Sequence, residues 1–250
     1  MVRQEFEKVL KEKNIDNFSL DTRVIISHVL DIEYIDYAME KDRIVTSNQY
    51  NEIVKLMTLR LTRMPISQII GDKEFWSINF KVTKDTLTPR PDSETVIATA
   101  IKEIDNPESA LNILDLGTGT GCLLLTLLSE FPMAHGIGID LSPTALDVAK
   151  QNAQMLGLLD RAEFQISNWT KDLVCDKKFD LIVCNPPYIG LDEKETLAPE
   201  VRDHEPAMAL FSGRDGLDDY RRLASELKNH IKDGSIIIFE VGYNQAQKVK

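Results

Sequence analysis

The sequence predicts an α/β fold, a parallel, doubly wound sheet with helices on both faces, preceded by a small helical region and a β-hairpin. Three observations carry this. Beyond Ser109, short apolar strands alternate with longer amphipathic segments. Those strands are near-continuous apolar runs, as strands buried on both faces must be. From the start to about Gly71, apolar residues recur at helical spacing instead.

In order along the chain, residues 1–71 form the helical domain. Phe6, Val9 and Leu10, then Val24, Ile25, Val29 and Leu30, then Ile53, Leu56, Met57 and Leu61 mark the apolar stripes. The pattern suits a bundle that packs only on itself and equally one that also holds a macromolecular partner. Residues 72–90 switch to β-favouring types with rough alternation in KEFWSINFKVTKDTL and read as a β-hairpin linker. Pro89 and Pro91 hold the next stretch extended, and Asp92, Ser93 and Glu94 supply residues suited to a helix N-terminus. Val96, Ile97, Ala100 and Ile101 then give the stripe of a packed helix.

Residues 91–250 carry the alternating pattern. The predicted strands are ALNILDLG, HGIGIDLS, AEFQIS, FDLIVCNPPY and SIIIFEVG. Between them lie a helix from Cys122, one from Pro143 capped by Ser142, and one over LDDYRRLASELKNHI. In such sheets ligands bind at the carboxyl ends of the strands, and each motif singled out below lies at such an end.

Composition narrows the function classes. No stretch of the 250 residues approaches the ~20 apolar residues of a membrane span. The start, MVRQEFEKVLKEK, has charges where a signal peptide needs its apolar segment, so the chain reads as cytoplasmic with no membrane partner. Cys122, Cys175, Cys184 and the four histidines show no paired metal-ligand spacing, and no metal is expected. The formal net charge is -11 and the pI about 4.9, with no basic stripe. Direct nucleic-acid binding is therefore not expected.

The first motif is LDLGTGTGC. Gly117, Gly119 and Gly121 follow a strand and open a helix, where glycines let the backbone turn sharply and approach a ligand. The dinucleotide fingerprint places its third glycine three residues after the second; here the separation is two. Asp140, at the end of HGIGID, can accept both hydroxyls of a ribose or serve as a helix N-terminal carboxylate beside Ser142. Asp115 braces the loop. In ISNWTKDL, Asn168 can pair with an adenine amino group and Trp169 can offer its flat face to the ring or plug the sheet edge. These residues suit NAD or S-adenosylmethionine, and the glycine spacing favours the latter.

The second motif is Asn185-Pro186-Pro187-Tyr188. Two prolines at a strand end remove two N–H donors and leave their carbonyls free. The side-chain oxygen of Asn185 and the carbonyl of Pro186 can then each accept one N–H of a planar amide or amino group. That orients its nitrogen for attack and favours the positive charge developing on it. Tyr188 closes the slot or packs under the loop. The residues alone leave the substrate open between a carboxamide and an adenine amine.

With these motifs the chain resembles the HemK/PrmC family of S-adenosylmethionine-dependent methyltransferases, which modify the glutamine amide in the GGQ motif of peptide chain release factors. The resemblance runs from about Leu20 to the last residue through TPRPDSE, ILDLGTGTGC, GIGIDLSP, the Trp169 segment, NPPYI and EVRDHEPAMALFSGRDGLDDY. It implies a Rossmann-like class I methyltransferase sheet and an N-terminal helical bundle that docks the release factor, in a monomer. Gly117, Thr118, Gly119, Thr120, Gly121, Asp140, Asn168, Trp169 and Asn185 would contact the cofactor. Asn185, Pro186, Pro187 and Tyr188 would form the substrate slot, with Asn185, Pro186 and Tyr188 catalytic. The alternatives are methylation of an adenine amine in nucleic acid, of a ribosomal-protein glutamine, or a non-catalytic interaction role.

Two residues depart from the family pattern: Thr88 replaces an aliphatic residue, and Asn168 an aspartate, which bears on cofactor affinity. The sequence also stops at Lys250, where the family pattern continues with two further strands: either it is a fragment, or, if the chain ends there, an exposed sheet edge and reduced stability are expected.

Overall fold

A computed structural model describes residues 2–32 and 43–250. Residues 33–42 of the predicted helical region lie outside the described residues. The chain divides into two compact units, Met1–Gly71 with Ala198–His204, and Asp72–Leu197 with Glu205–Lys250.

The first unit contains α1 (Val2–Glu12), α2 (Phe18–Leu30), α3 (Ser47–Leu61) and α4 (Ile66–Ile70). Their apolar faces meet in a core that includes Leu10, Ile25, Ile53 and Met57, with Phe6, Val29 and Leu61 at its margin. The α3 helix starts on a capping box between Thr46 and Gln49, which satisfies two otherwise orphaned groups. The segment Ala198–His204, which lies in the 91–250 range, belongs to this unit. Charge pairing ties it there. Buried Arg60 donates to Asp21 at 2.7 Å and to Glu200 at 3.0 Å, and Arg63 reaches Glu200 at 3.2 Å.

The second unit opens with the antiparallel hairpin β1 (Asp72–Phe75) and β2 (Ile78–Lys81). Trp76 and Ser77 both adopt positive φ at its two-residue turn. Phe75 and Phe80 are fully buried among Val96, Ile97 and Leu124, so the hairpin forms part of the core. The helix α5 (Glu94–Glu103) follows, with Val96, Ile97 and Ala100 buried. Ile101 departs from the predicted stripe: it is 36 % exposed, because one step past Ala100 turns it to the rim.

The sheet has five strands: β3 (Asn112–Leu116), β4 (His135–Asp140), β5 (Ala162–Ile166), β6 (Phe179–Cys184) and β7 (Ile231–Phe239). Their order is β5-β4-β3-β6-β7 and all pairings are parallel. The connecting helices are α6 (Cys122–Glu130) and α7 (Pro143–Met155), with the short α8 (Pro199–Arg202), which lies in the first unit, and α9 (Ala207–Leu210). Then come α10 (Asp218–Glu226) and, after β7, α11 (Ala246–Val249).

This is the doubly wound arrangement predicted, with β7 as an outer strand. The last long helix is shorter than predicted. It ends in a tight turn over Leu227–Asn229, because Ile231 enters the sheet opposite Phe179. From β3 the order runs to β4 on one side and to β6 on the other, which opens a crevice at the carboxyl ends of β3 and β6.

Candidate active site

The loop after β3 turns on Gly117, Gly119 and Gly121, with φ of 72°, 55° and 80°. A left-handed backbone is costly for residues with a Cβ. At Gly121 an added Cβ would also sit 3.0 Å from Leu125. The two threonines between the glycines face the protein. Thr118 donates its hydroxyl to Asp115 at 2.7 Å, and Thr120 is buried with its carbonyl accepting from Asn152 at 2.8 Å. Asp115 braces the loop as predicted, and burial pushes its carboxyl up to about 7.

Asp140 serves two elements at once. One oxygen accepts from the Gly119 N–H and the other from the Ser142 N–H, each at 2.9 Å. The carboxylate therefore locks the β3 and β4 loops together, and each oxygen keeps further acceptor capacity. Ser142 caps α7 by accepting from Ala145 at 3.2 Å, and Pro143 occupies the first helical turn.

After β5, Trp169 takes φ 54° and its indole N–H donates to Asp219 at 2.9 Å. Its ring lies beside the glycine loop: a Cβ on Gly117 would meet the ring at 3.5 Å. Asn168 is held from within the protein: its side-chain oxygen accepts from Arg222 at 2.6 Å, which leaves one acceptor site, and its carbonyl accepts from the same guanidinium at 2.9 Å. An aspartate there would form an ion pair with Arg222; the asparagine makes a hydrogen bond.

After β6, Asn185 donates its side-chain NH2 to Ser93 at 3.2 Å, and Ser93 donates to Glu240 at 2.5 Å. Pro186 is buried and Pro187 half-buried. Tyr188 hydrogen-bonds Glu240, and burial followed by that carboxylate pushes its phenol up.

These loops surround a cavity of about 220 Å³. Gly117, Gly119, Asp140, Asn168, Trp169, Asn185 and Pro187 line it, while Tyr188 faces an adjoining groove with Asp92, Glu193 and Glu240. Much of the remaining lining was missed in the sequence, including Thr86 and Leu87, Pro206 and Met208, and Asp219 with Arg222. A signal existed for the last two, which stand three apart in LDDYRRL on one face of α10.

Within the second unit, Arg90 donates to buried Glu205 at 2.6 Å. Glu205 also takes hydrogen bonds from Thr88, which satisfies the hydroxyl at that otherwise aliphatic position. Chemically, the cavity offers a glycine-lined backbone wall, one pinned carboxylate, an aromatic face and the Asn185 amide.

Among the described residues, no group of His, Cys, Asp and Glu is arranged to hold a metal, and no helix is long and apolar enough to cross a membrane.

Comparison with known proteins adds to this geometry. Residues 2–71 match the family model of a PrmC N-terminal domain, and residues 107–249 that of a methyltransferase domain. The chain is 40% identical over 240 residues to a release factor glutamine methyltransferase of Cereibacter sphaeroides, covering 96% of this chain and 84% of that one. It is 41% identical over 242 residues to the protein of the same description from Caulobacter vibrioides, covering 96% and 83%. A methyltransferase structure from Pyrococcus furiosus has the same fold, with a TM-score of 0.51 at 15% identity, covering 82% of each chain.

Proposed function

The chain belongs to the release factor glutamine methyltransferase family, and from that premise we propose that it methylates the side-chain amide nitrogen of the glutamine in the GGQ motif of peptide chain release factors, with S-adenosylmethionine as methyl donor. The observation that carries this reading is that Asn185 opens onto the cavity that also holds Gly117, Gly119, Asp140 and Trp169. An acceptor for a planar NH2 group and an adenosine-type site thus share one space.

The residues fit the donor. An added Cβ on Gly119 would have only the Gly117 carbonyl oxygen near it, at 3.9 Å, so the backbone is open to a ligand there. Asp140 has acceptor capacity left for ribose hydroxyls, and Trp169 borders the base. Bound S-adenosylmethionine supplies an electrophilic methyl group on a sulfonium, whose bonding pair returns to sulfur on transfer.

The protein's own contribution is alignment. A carboxamide nitrogen is a poor nucleophile because its lone pair is delocalised. The Asn185 oxygen and the Pro186 carbonyl each accept one of its N–H groups, which fixes its direction and stabilises the charge gained on attack. The alkylated nitrogen is far more acidic and gives its extra proton to water, so no strong base is needed. Tyr188 bounds the slot. The helices of residues 1–71 dock the release factor, and the acidic charge balance agrees with a protein target.

The test is to incubate the protein with S-adenosylmethionine and a release factor and weigh the GGQ peptide. A gain of one methyl mass on glutamine is expected; no gain overturns the reading. Asn185→Ala should abolish transfer and leave cofactor binding largely intact.

A further inference from the structure

Resting on the reading that the Asn185 oxygen receives the substrate amide, we propose that Glu240 and Ser93 form a positioning pair that fixes which end of the Asn185 carboxamide faces the slot.

An asparagine amide is nearly symmetric in shape, and its two ends differ only in hydrogen-bonding sense. Turned the wrong way, Asn185 would present NH2 to an NH2 substrate and repel it. Something behind the residue must discriminate. The Asn185 NH2 donates to Ser93 at 3.2 Å, and Ser93 donates to Glu240 at 2.5 Å.

The direction of this relay is set at its far end. An ionised carboxylate can only accept, so Ser93 must spend its single proton on Glu240 and can only accept from Asn185. Only the nitrogen end of Asn185 can then face Ser93, and the oxygen end is left for the substrate. The Glu240 carboxylate also takes hydrogen bonds from the Asn185 amide and the Tyr188 hydroxyl, and so links a residue of the cavity to one of the adjoining groove.

Glu240 is itself fixed. Its N–H donates to the Cys184 carbonyl at 2.9 Å, and its carbonyl accepts from Tyr220 at 2.8 Å. Ser93 stands immediately before α5 and makes no capping bond to it, so its hydroxyl is free for this role.

Protonation of Glu240 reverses the relay. Its O–H would donate to Ser93, Ser93 would donate to Asn185, and the oxygen end would turn away from the substrate. Among the described residues, Arg90 and Asp92 before α5, Cys122 on α6, Cys184 on β6, Tyr188 after it and Tyr220 on α10 are charged or titratable groups that face Glu240. The thiols and phenols among them are all pushed upward and stay neutral. Burial raises Glu240 above the ordinary glutamate range, against which Ser93 and Arg90 act. Activity should therefore fall on the acid side as Glu240 gains its proton.

Glu240→Gln and Ser93→Ala test this with the full chain, S-adenosylmethionine and a release factor. A misaimed group at a reacting centre costs about a hundredfold. Both variants should lose kcat on that scale while the cofactor Kd stays unchanged, and Ser93→Thr should restore the rate lost in Ser93→Ala. Glu240→Gln should also remove the acid limb of the kcat profile.

A readout independent of turnover is the pair of side-chain amide proton resonances of Asn185, identified by their loss in Asn185→Asp. They should titrate with Glu240 in the wild type and not in Glu240→Gln. Wild-type kcat in Glu240→Gln, no rescue by Ser93→Thr, or amide resonances that ignore the substitution would overturn the proposal. Failure of the wild type to methylate a release factor would instead strike the substrate assignment, and the resonances would still decide the orientation.

Discussion

At Asp115 one carboxylate sits in the core and braces a loop that must keep its shape. Its side chain accepts from Thr118, but burial dominates and raises its carboxyl to about 7 from an ordinary value near 3.8. The consequence for stability has a definite sign. Between about pH 4 and pH 7 the unfolded chain releases this proton while the folded protein keeps it. Stability is thus greatest below that window and is lost as pH rises through it. At about 1.4 kcal/mol per unit, the change amounts to roughly 4 kcal/mol as an upper bound. Asp115→Asn keeps an oxygen for the Thr118 hydroxyl and removes the titration. Its melting temperature relative to wild type should therefore climb from pH 5 to pH 8, measured by calorimetry without cofactor. A difference that stays flat over that range would mean that Asp115 does not titrate there.

Elements are joined by another polar side chain with no charge at all. Asn152 on α7 is fully buried. It accepts from the Lys81 N–H at 2.8 Å and donates to the Lys81 carbonyl at 3.1 Å and to the Thr120 carbonyl at 2.8 Å. It thus pairs with β2 as another strand would, and holds the glycine loop from behind. Asn152→Ala leaves three backbone groups without partners in a closed site. At about 1–3 kcal/mol for an unsatisfied buried group, with relaxation shared among the three, we expect a loss of about 3 kcal/mol. The midpoint in urea should fall accordingly, and a shift well under 1 kcal/mol would mean that water replaces the amide.

Asn152 also marks the limit of what could be read in advance. The glycine loop and NPPY are legible because their demands are local: a left-handed backbone calls for glycine, and a strand end with spare carbonyls calls for proline. The parallel sheet is legible because burial on both faces leaves continuous apolar runs. Asn152, Arg222, Ser93 and Glu240 act through partners far away in sequence. Ser93 and Glu240 lie 147 positions apart, and no local pattern in PDSE or FEVG announces that they meet. The bond between the Asn168 oxygen and Arg222 was out of sight for the same reason, since the two stand 54 positions apart.

On the scale of the whole molecule, the chain leaves the methyltransferase unit after Leu197, contributes Ala198–His204 to the helical unit and returns at Glu205. The residues that follow, Pro206 and Met208, line the cavity. What holds the excursion is Arg60, whose side chain is only 7% exposed and binds Asp21 and Glu200 together. Ion pairs this deep contribute little net stability when formed, yet removing one partner strands the other's charge. Arg60→Ala leaves the Asp21 carboxylate buried and unpaired and takes from Glu200 one of its two arginines. The cost should be about 3–5 kcal/mol, confined to the helical unit. It should appear as faster hydrogen exchange in residues 18–30 and 198–204, with β3 and β6 unchanged. The double variant Asp21→Leu with Arg60→Met removes both charges and should recover most of the loss. If the single variant exchanges like the wild type, or if the double variant is no better than the single, the segment is held by its packing and not by this arginine.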